Sequence, residues 1–426
     1  VFNKNNTPEI FNFRGIKLGI PICEDIWMDN VCKELKDQGC ELIISPNGSP
    51  FDKYKINQRK TIIEDRVTEV KTPFVYVNQF GGQDELVFDG SSLVMNGNKE
   101  VVFEAPSWEE NTSVVEFNVS AKKFNDLPFE KAQVSDLENI YMAMVIGLRD
   151  YVAKNNFPGV ILGLSGGIDS AFCAAVAVDA LGKDKVNAYM LPSVYTSKNS
   201  LDDAKDCAKR LEIHLDSIPI SNTFLSLEDS LEELFKGLPT DITEENLQSR
   251  IRGTILMAIS NKIGKMLITT GNKSEVSVGY STLYGDMNGG FNPIKDIYKT
   301  ELYALANWRN LNVPKNVLLT KKNIIPETII SKEPTAELRD NQKDSDSLPS
   351  YDQLDQILEG LVEYELSTNE LEKKGFSRDE IKKVENLLYV SEYKRRQSAP
   401  GVKISLRNFG RDRRYPITNK YRDKSE

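Results

Sequence analysis

The chain has 426 residues, 40% hydrophobic and 27% charged, so it is long enough for two or three domains and is not a disordered polypeptide. It carries 54 Lys plus Arg against 63 Asp plus Glu, a net charge of −9, which excludes a general nucleic-acid binder with a basic face. No run of about 18 apolar residues occurs, which excludes a transmembrane helix.

In chain order, residues 16–20 alternate as a strand, and 41–45 form a short apolar strand ending in the turn Pro46-Asn47-Gly48. Residues 55–71 carry Ile56, Ile62, Ile63, Val67 and Val70 on one helix face. Residues 73–78 predict a strand, and 91–95 with 100–103 a hairpin around Asn96-Gly97. The polar stretch 121–135, with Pro128, reads as a linker. A helix over 137–155, a strand over 160–162 and an Ala-rich helix over 170–181 follow. Then come a strand over 186–191, helices over 202–211 and 247–262, and a strand over 266–270. Strands alternating with helices predict a doubly wound parallel sheet. Residues 338–349 are polar and acidic and predict a mobile loop. The tail from Lys394 is basic, with Arg395, Arg396, Arg407, Arg411, Arg413 and Arg414.

The five cysteines, Cys23, Cys32, Cys40, Cys173 and Cys207, are odd in number and lack metal-type spacing. They fit a reduced, cytoplasmic protein better than a disulfide scaffold. The one histidine, His214, lies in an alternating stretch over 211–215 and predicts a structural or surface role, which leaves little room for a His-based zinc site or a Ser-His-Asp triad.

The strongest local signal runs through Gly163-Leu-Ser165-Gly166-Gly167-Ile168-Asp169-Ser170, where a buried strand turns into a helix of small residues. Glycines admit a ligand close to the backbone, and the new helix aims free N–H groups at the same point. Asp169 would repel phosphate unless a cation lay between them, so the turn asks for a magnesium-complexed polyphosphate. It is neither Walker A nor the dinucleotide GxGxxG pattern. These residues resemble the PP-loop ATP pyrophosphatases, which cleave ATP to AMP and pyrophosphate. A second stretch, Thr269-Thr-Gly-Asn-Lys-Ser-Glu275 and Gly279 to Gly290, is dense in glycine, hydroxyl and amide residues and leaves a strand end. The plain alternative is a long polar loop.

With Asn246-Leu-Gln-Ser-Arg250, Pro334-Thr-Ala-Glu-Leu338, Ser347-Leu-Pro349, Tyr393-Lys-Arg-Arg-Gln397 and Gly410-Arg-Asp-Arg-Arg414, the chain resembles the glutamine-dependent NAD synthetases over its whole length. The resemblance implies an α/β protein. A truncated nitrilase-like α/β sandwich over 1–120 and a linker over 121–135 would precede a doubly wound parallel-sheet PP-loop domain, of the adenine nucleotide alpha hydrolase-like kind, over 136–426. It implies an ATP-binding turn of Gly163, Leu164, Ser165, Gly166, Gly167, Ile168, Asp169 and Ser170. Thr270 and Lys299 would also contact ATP, and Thr335 a phosphate. Asp169 and Glu275 would hold Mg²⁺. Asn246, Glu275, Asp286 and Lys394 are expected near deamido-NAD. Lys299 and the Arg395–Arg396 pair suit anionic substrates on chemical grounds as well. The resemblance also implies at least a homodimer, with small-molecule substrates and no nucleic-acid or membrane partner.

Gly19-Ile-Pro-Ile-Cys23-Glu24-Asp25 puts a cysteine just after a strand, with carboxylates close enough in sequence to take its proton. The plain alternative is a small buried hydrophobe. The segment resembles the nucleophile segment of nitrilase-type glutaminases, which implies Cys23 as nucleophile and Ser49 and Lys55 as glutamine contacts. In that family a base Glu and a Lys lie well before the Cys. Lys4, Glu9 and Lys17 lack the surroundings expected of them. The expectation is therefore a glutaminase unit lacking its first half, with glutamine hydrolysis lost and ammonia-dependent synthesis kept. Other readings are a different PP-loop enzyme, acting on tRNA, GMP or asparagine, and a non-catalytic nucleotide-binding protein, which predicts lost carboxylates where Asp169 and Glu275 stand. A stand-alone nitrilase-like hydrolase leaves about 290 residues unexplained.

Overall fold

The computed structural model describes residues 7–127, 129, 134–340, 342–346 and 348–422. Lys4, Pro128 and Ser347 lie outside them. The chain divides into two compact units, Val1–Ala143 and Met144–Glu426.

In the first unit, β1 (Ile10–Phe13), β2 (Ile16–Gly19), α1 (Asp29–Asp37), β3 (Leu42–Asn47), α2 (Lys55–Val70) and β4 (Phe74–Asn78) come first. Then follow β5 (Phe80–Gln83), β6 (Leu86–Asp89), β7 (Leu93–Met95), β8 (Val101–Glu104), β9 (Phe117–Asn118) and β10 (Lys123–Phe124). Six of these strands form one sheet in the order β1-β2-β3-β4-β7-β8. β2, β3 and β4 run parallel, and the outer pairs are antiparallel. Sequence alternation works here as expected. β3 sends Ile43 into a core with Leu35, Ile63, Val67 and Phe74, while Leu42 joins Val94, Val102 and Phe124 in a separate cluster. The expected hairpin forms as β7 and β8.

The next element, α3 (Asp136–Lys154), carries the point of division between the units. The second unit continues with β11 (Val160–Gly163), α4 (Ile168–Leu181), β12 (Val186–Met190), α5 (Lys198–Leu211), β13 (His214–Ser217), α6 (Ser221–Phe235), α7 (Ile242–Ile263) and β14 (Met266–Leu267). Helices α8 (Lys273–Val278), α9 (Lys299–Leu311), α10 (Glu327–Ser331), α11 (Tyr351–Val362), α12 (Thr368–Lys373), α13 (Arg378–Val390) and α14 (Glu392–Arg395) complete it. The sheet is wholly parallel, in the order β13-β12-β11-β14. The chain winds outward one way from β11 and then returns to pair β14 on its other side. Ligands of such sheets sit at that reversal, beyond the carboxyl ends of the strands.

Some sequence expectations shift: α5 and α7 start four and five residues early, at Lys198 and Ile242, and β14 ends at Leu267 rather than 270. α4 starts at Ile168 rather than Ser170, so Asp169 stands in its first turn. Leu211 ends α5, and β13 starts at His214, which is exposed and 2.8 Å from Asp216, a surface role as expected. Helices α1, α6 and α8–α14 were not read from sequence. The acidic stretch 338–349 is not simply solvated loop, because it buries Asp344.

Candidate active site

β11 delivers the chain to Ser165-Gly166-Gly167, and α4 leaves from it. Gly166 has φ +83°, and a Cβ there would lie 2.2 Å from the Ser200 carbonyl oxygen, so only glycine fits. The serines set the turn rather than hanging free. Ser165 Oγ accepts from the Gly167 N–H (3.2 Å), and Ser170 Oγ donates to the Gly167 carbonyl (3.0 Å).

Across the reversal, the chain leaves β14 and enters α8. Asn272 caps α8, accepting from the Glu275 N–H (3.0 Å), and its amide donates to Asp169 Oδ1 (2.7 Å). One capping residue thus ties the two loops together. Lys299, first in α9, places its ammonium 2.5 Å from Asp169 and 3.4 Å from Glu275. The ring of Tyr351 lies 5.3 Å from that ammonium, and its hydroxyl donates to Asp344 (2.8 Å). Burial, then the neighbouring Asp169, pushes the Glu275 carboxyl up to about 8, against the pull of Lys299. Burial works against the charge on Lys299, but Asp169 and Glu275 outweigh it and raise the ammonium above its ordinary value. Asp344 is also raised, chiefly by burial. Three carboxylates therefore share one ammonium.

Asp169, Glu275, Lys299 and Asp344 line a cavity of about 340 Å³, together with Ser165, Gly167, Ile168, Thr270 and Thr335. Asn246, Asp286 and Lys394 line its further part. Asn246 accepts from the Thr282 hydroxyl (2.8 Å), and Thr335 donates to the Gln342 carbonyl (2.6 Å). Asp286 accepts from the Thr282 N–H (2.8 Å). The surrounding protein raises its carboxyl toward about 6, although solvent in the cavity reaches it. Lys394 donates to the Gly279 and Ser281 carbonyls, each at 2.7 Å. A second cavity of about 290 Å³ adjoins the first and is lined by Gly163, Leu164, Ser170, Met190, Leu191 and Leu256. The predicted ATP and deamido-NAD residues thus all line one cavity or the other except Gly166, which shapes the turn.

The Arg395–Arg396 expectation is corrected. Arg395 is buried, pairs with Glu392 (2.8 Å) and donates to the Ser277 and Leu388 carbonyls. Arg396 takes the other oxygen of Glu392 (2.9 Å). Neither lines either of these two cavities, and both pair with Glu392 at the last helical turn.

No cluster of three or more His, Cys, Asp or Glu with metal-binding geometry occurs among the described residues. Two oxygen-donor carboxylates with surplus negative charge suit a hard divalent cation whose remaining ligands come from phosphate and water.

In the first unit, Cys23 follows β2 and opens a short 3₁₀ turn to Trp27 with φ +50°, a strained setting for a non-glycine residue. Ser49 Oγ accepts from Arg59 Nε (3.0 Å), and both carboxylate oxygens of Asp89 take the single nitrogen Nη1 of Arg59 (2.7 and 2.9 Å). Buried Tyr76 bonds Ser49 and lies within electrostatic reach of Cys23. Lys55 opens α2 and sets its ammonium 4.2 Å from the Trp27 ring centre. The expected carboxylate partner is not in place. Asp25 accepts instead from the Ile22 N–H (2.8 Å), and among the described residues no hydrogen bond joins a carboxylate to Cys23.

Sequence reasoning missed Asp344, Tyr280, Tyr351 and Arg252. Asp344 stood in a stretch whose composition signals only solvation.

The family model described as NAD synthase matches residues 140–398, and that described as carbon-nitrogen hydrolase matches residues 1–123. The second match supports a nitrilase-like first unit and gives no support to the expected truncation. The glutamine-dependent NAD(+) synthetase of Rhodobacter capsulatus is 47% identical over 426 residues, spanning all of this chain and 77% of the relative. The structure of glutamine-dependent NAD+ synthetase from Acinetobacter baumannii in complex with ADP is 42% identical with a TM-score of 0.74, covering 98% of this chain and 75% of that one. A Cytophaga hutchinsonii glutamine-dependent NAD(+) synthetase, 21% identical with a TM-score of 0.77, shares the fold. By these matches the chain belongs to the glutamine-dependent NAD(+) synthetase family.

Proposed function

We propose that this chain amidates deamido-NAD to NAD at the expense of ATP, releasing AMP and pyrophosphate. The observation that carries the reading is the pair of adjoining cavities, with a glycine turn between them and an Asp169–Lys299–Glu275 centre in the first. ATP runs from one cavity to the other. Its β- and γ-phosphates meet Ser165, Ser170 and the first-turn N–H groups of α4, and its adenosine enters the apolar cavity beside Met190 and Leu191. Thr270, Lys299 and Thr335 complete the phosphate contacts. Asn246, Asp286 and Lys394 hold deamido-NAD.

The nicotinate carboxylate attacks the α-phosphorus, an acyl-adenylate forms, and the bond to pyrophosphate breaks with its electron pair on the leaving oxygen. Ammonia then attacks the acyl carbon, AMP leaves with the second electron pair, and one proton passes to water. Lys299 sits where it can stabilise charge on the leaving pyrophosphate. Asp169 and Glu275 would hold Mg²⁺, which when bound neutralises phosphate charge.

The ammonia source is glutamine, opened by Cys23 as nucleophile with Ser49 and Lys55 as contacts. Residues 1–120 would serve as glutaminase and 136–426 as synthetase, joined by 121–135. Five free cysteines fit a cytoplasmic setting, and no helix among the described residues is long and apolar enough to cross a membrane. A second copy of the chain would cover α6, which buries none of its residues and exposes Leu225 and Leu234.

The test is NAD formation from deamido-NAD and Mg·ATP, run with ammonium and separately with glutamine. Product with ammonium supports the synthetase reading, and product with glutamine supports Cys23. No product from folded protein with either donor refutes the reading.

A further inference from the structure

Arg252, on α7, lines the second cavity. Its Nε donates to the Leu191 carbonyl (2.9 Å), which pins the side chain against the end of β12. Among the described residues its terminal nitrogens have no hydrogen bond, and no carboxylate forms an ion pair with it. Burial lowers its pKa to about 10, and the fields of Glu337 and Asp286 oppose that fall. It is therefore a cation at neutral pH, largely desolvated and lacking an anion.

The two cavities share a rim that includes Ser165, Thr270, Asp286 and Glu337. The carboxylates that Arg252 feels, Asp286 and Glu337, are both on that rim. The pyrophosphate-binding groups sit in the first cavity and the apolar walls in the second. An adenine nucleotide threaded between them must leave its α-phosphate at the rim, because that group alone lies between adenosine and pyrophosphate. We propose that Arg252 is the guanidinium that grips the non-bridging oxygens of the α-phosphate, in ATP during attack and in the acyl-adenylate and AMP afterwards. A rigid fork suits this position, because those oxygens gain negative charge as the carboxylate approaches and stay in place while ammonia attacks.

The inference rests on the ATP placement above, but its test needs no turnover. Binding of AMP and of adenosine is measured by calorimetry on the chain and on Arg252→Gln. AMP affinity falls at least about tenfold while adenosine affinity holds, in line with loss of a charge-assisted hydrogen bond. Unchanged AMP affinity, or an equal fall for both ligands, overturns it. Arg252→Lys keeps charge without the fork and gives an intermediate AMP affinity. It also decides the matter should the glutamine variant not fold, since AMP affinity equal to that of the parent chain then counts against the inference. In the ammonium-driven reaction Arg252→Gln lowers kcat by about 10²-fold, the usual cost of one preorganised donor. A chain that distinguishes AMP from adenosine through Arg252 yet makes no NAD would refute the proposed reaction and leave this contact standing.

Discussion

Lys273 and Lys299 each open a helix, and each meets two carboxylates at 3% side-chain exposure or less. Their surroundings differ in one respect. Lys273 meets Asp296 (2.8 Å) and Glu363 (3.1 Å), donates to Ser405 and the Arg407 carbonyl, and lies over the Tyr298 ring. Its carboxylates are themselves finished. Asp296 accepts from the Ile404 and Ser405 N–H groups, and Glu363 from the Leu406 N–H. The partners of Lys299 are 19% and 17% exposed, and both open onto a cavity. A closed charge cluster joins segments far apart in sequence, whereas an open one waits for a ligand that completes it.

Breaking the open cluster gives the largest expected effect. Glu275→Gln keeps the shape of the side chain and removes its charge, and it should lower kcat/KM of ammonium-driven NAD formation by about 10³-fold, with the fold intact. A loss of less than tenfold would remove Glu275 from the chemistry. The closed cluster should respond in the other coordinate. Lys273→Met leaves two buried carboxylates without their cation, a change that costs about 3–5 kcal/mol. Scanning calorimetry should show a lower Tm by well over five degrees, and a Tm within about two degrees of the parent would mean that the cluster does not hold the unit together.

The two lysines also mark how far a sequence can be read. The turn around Gly166 was legible because its causes are local: a strand end, glycine freedom and a helix start. The α8 cap has equally local causes, since Asn272 and Glu275 stand three residues apart, yet it was not read, because the surrounding stretch lacks apolar periodicity. Nothing local separates Lys273 from Lys299. Asp296 and Glu363 reach the first from opposite ends of a 68-residue interval, while Asp169 reaches the second from 130 residues away. Arg395 was misread for a related reason. A basic run looks solvated or substrate-facing, and only the fold reveals that Glu392, one turn earlier, neutralises it. α11 carries Leu354, Ile357 and Leu358 at helical spacing and was open to the same reading as α2. Its polar face, with Tyr351 and Asp355, takes its meaning only from Lys299 and Ser274 across the unit.

A smaller effect probes the turn beside the open cluster. Gly166→Ala puts a methyl group 2.2 Å from the Ser200 carbonyl, and backbone cannot yield as a side-chain tip would. The turn shifts and carries Ser165 and the α4 N-terminus with it. A displacement near 1 Å costs about 10²-fold in rate. The loss should appear in kcat and in the KM for ATP, with the KM for ammonium unchanged. A KM change confined to deamido-NAD would detach this turn from the ATP phosphates.

The smallest effect is a dependence of stability on pH. In metal-free protein the Glu275 carboxyl sits at about 8, raised from an ordinary 4.5 by burial and then by Asp169. A carboxyl raised on folding favours the folded chain while it is protonated. That contribution is complete below about 4.5 and is lost as pH rises through about 8, because ionisation then puts a further negative charge beside Asp169. Between pH 6 and pH 9 the Tm of the parent chain should therefore fall more steeply than that of Glu275→Gln, by a few degrees. Lys273, with its finished carboxylates, gives the contrast: Lys273→Met should lower Tm nearly equally at both pH values. Parallel Tm profiles for the parent chain and Glu275→Gln would show that Lys299 alone balances the open cluster. The surplus negative charge, and with it the argument for a divalent cation, would then fall.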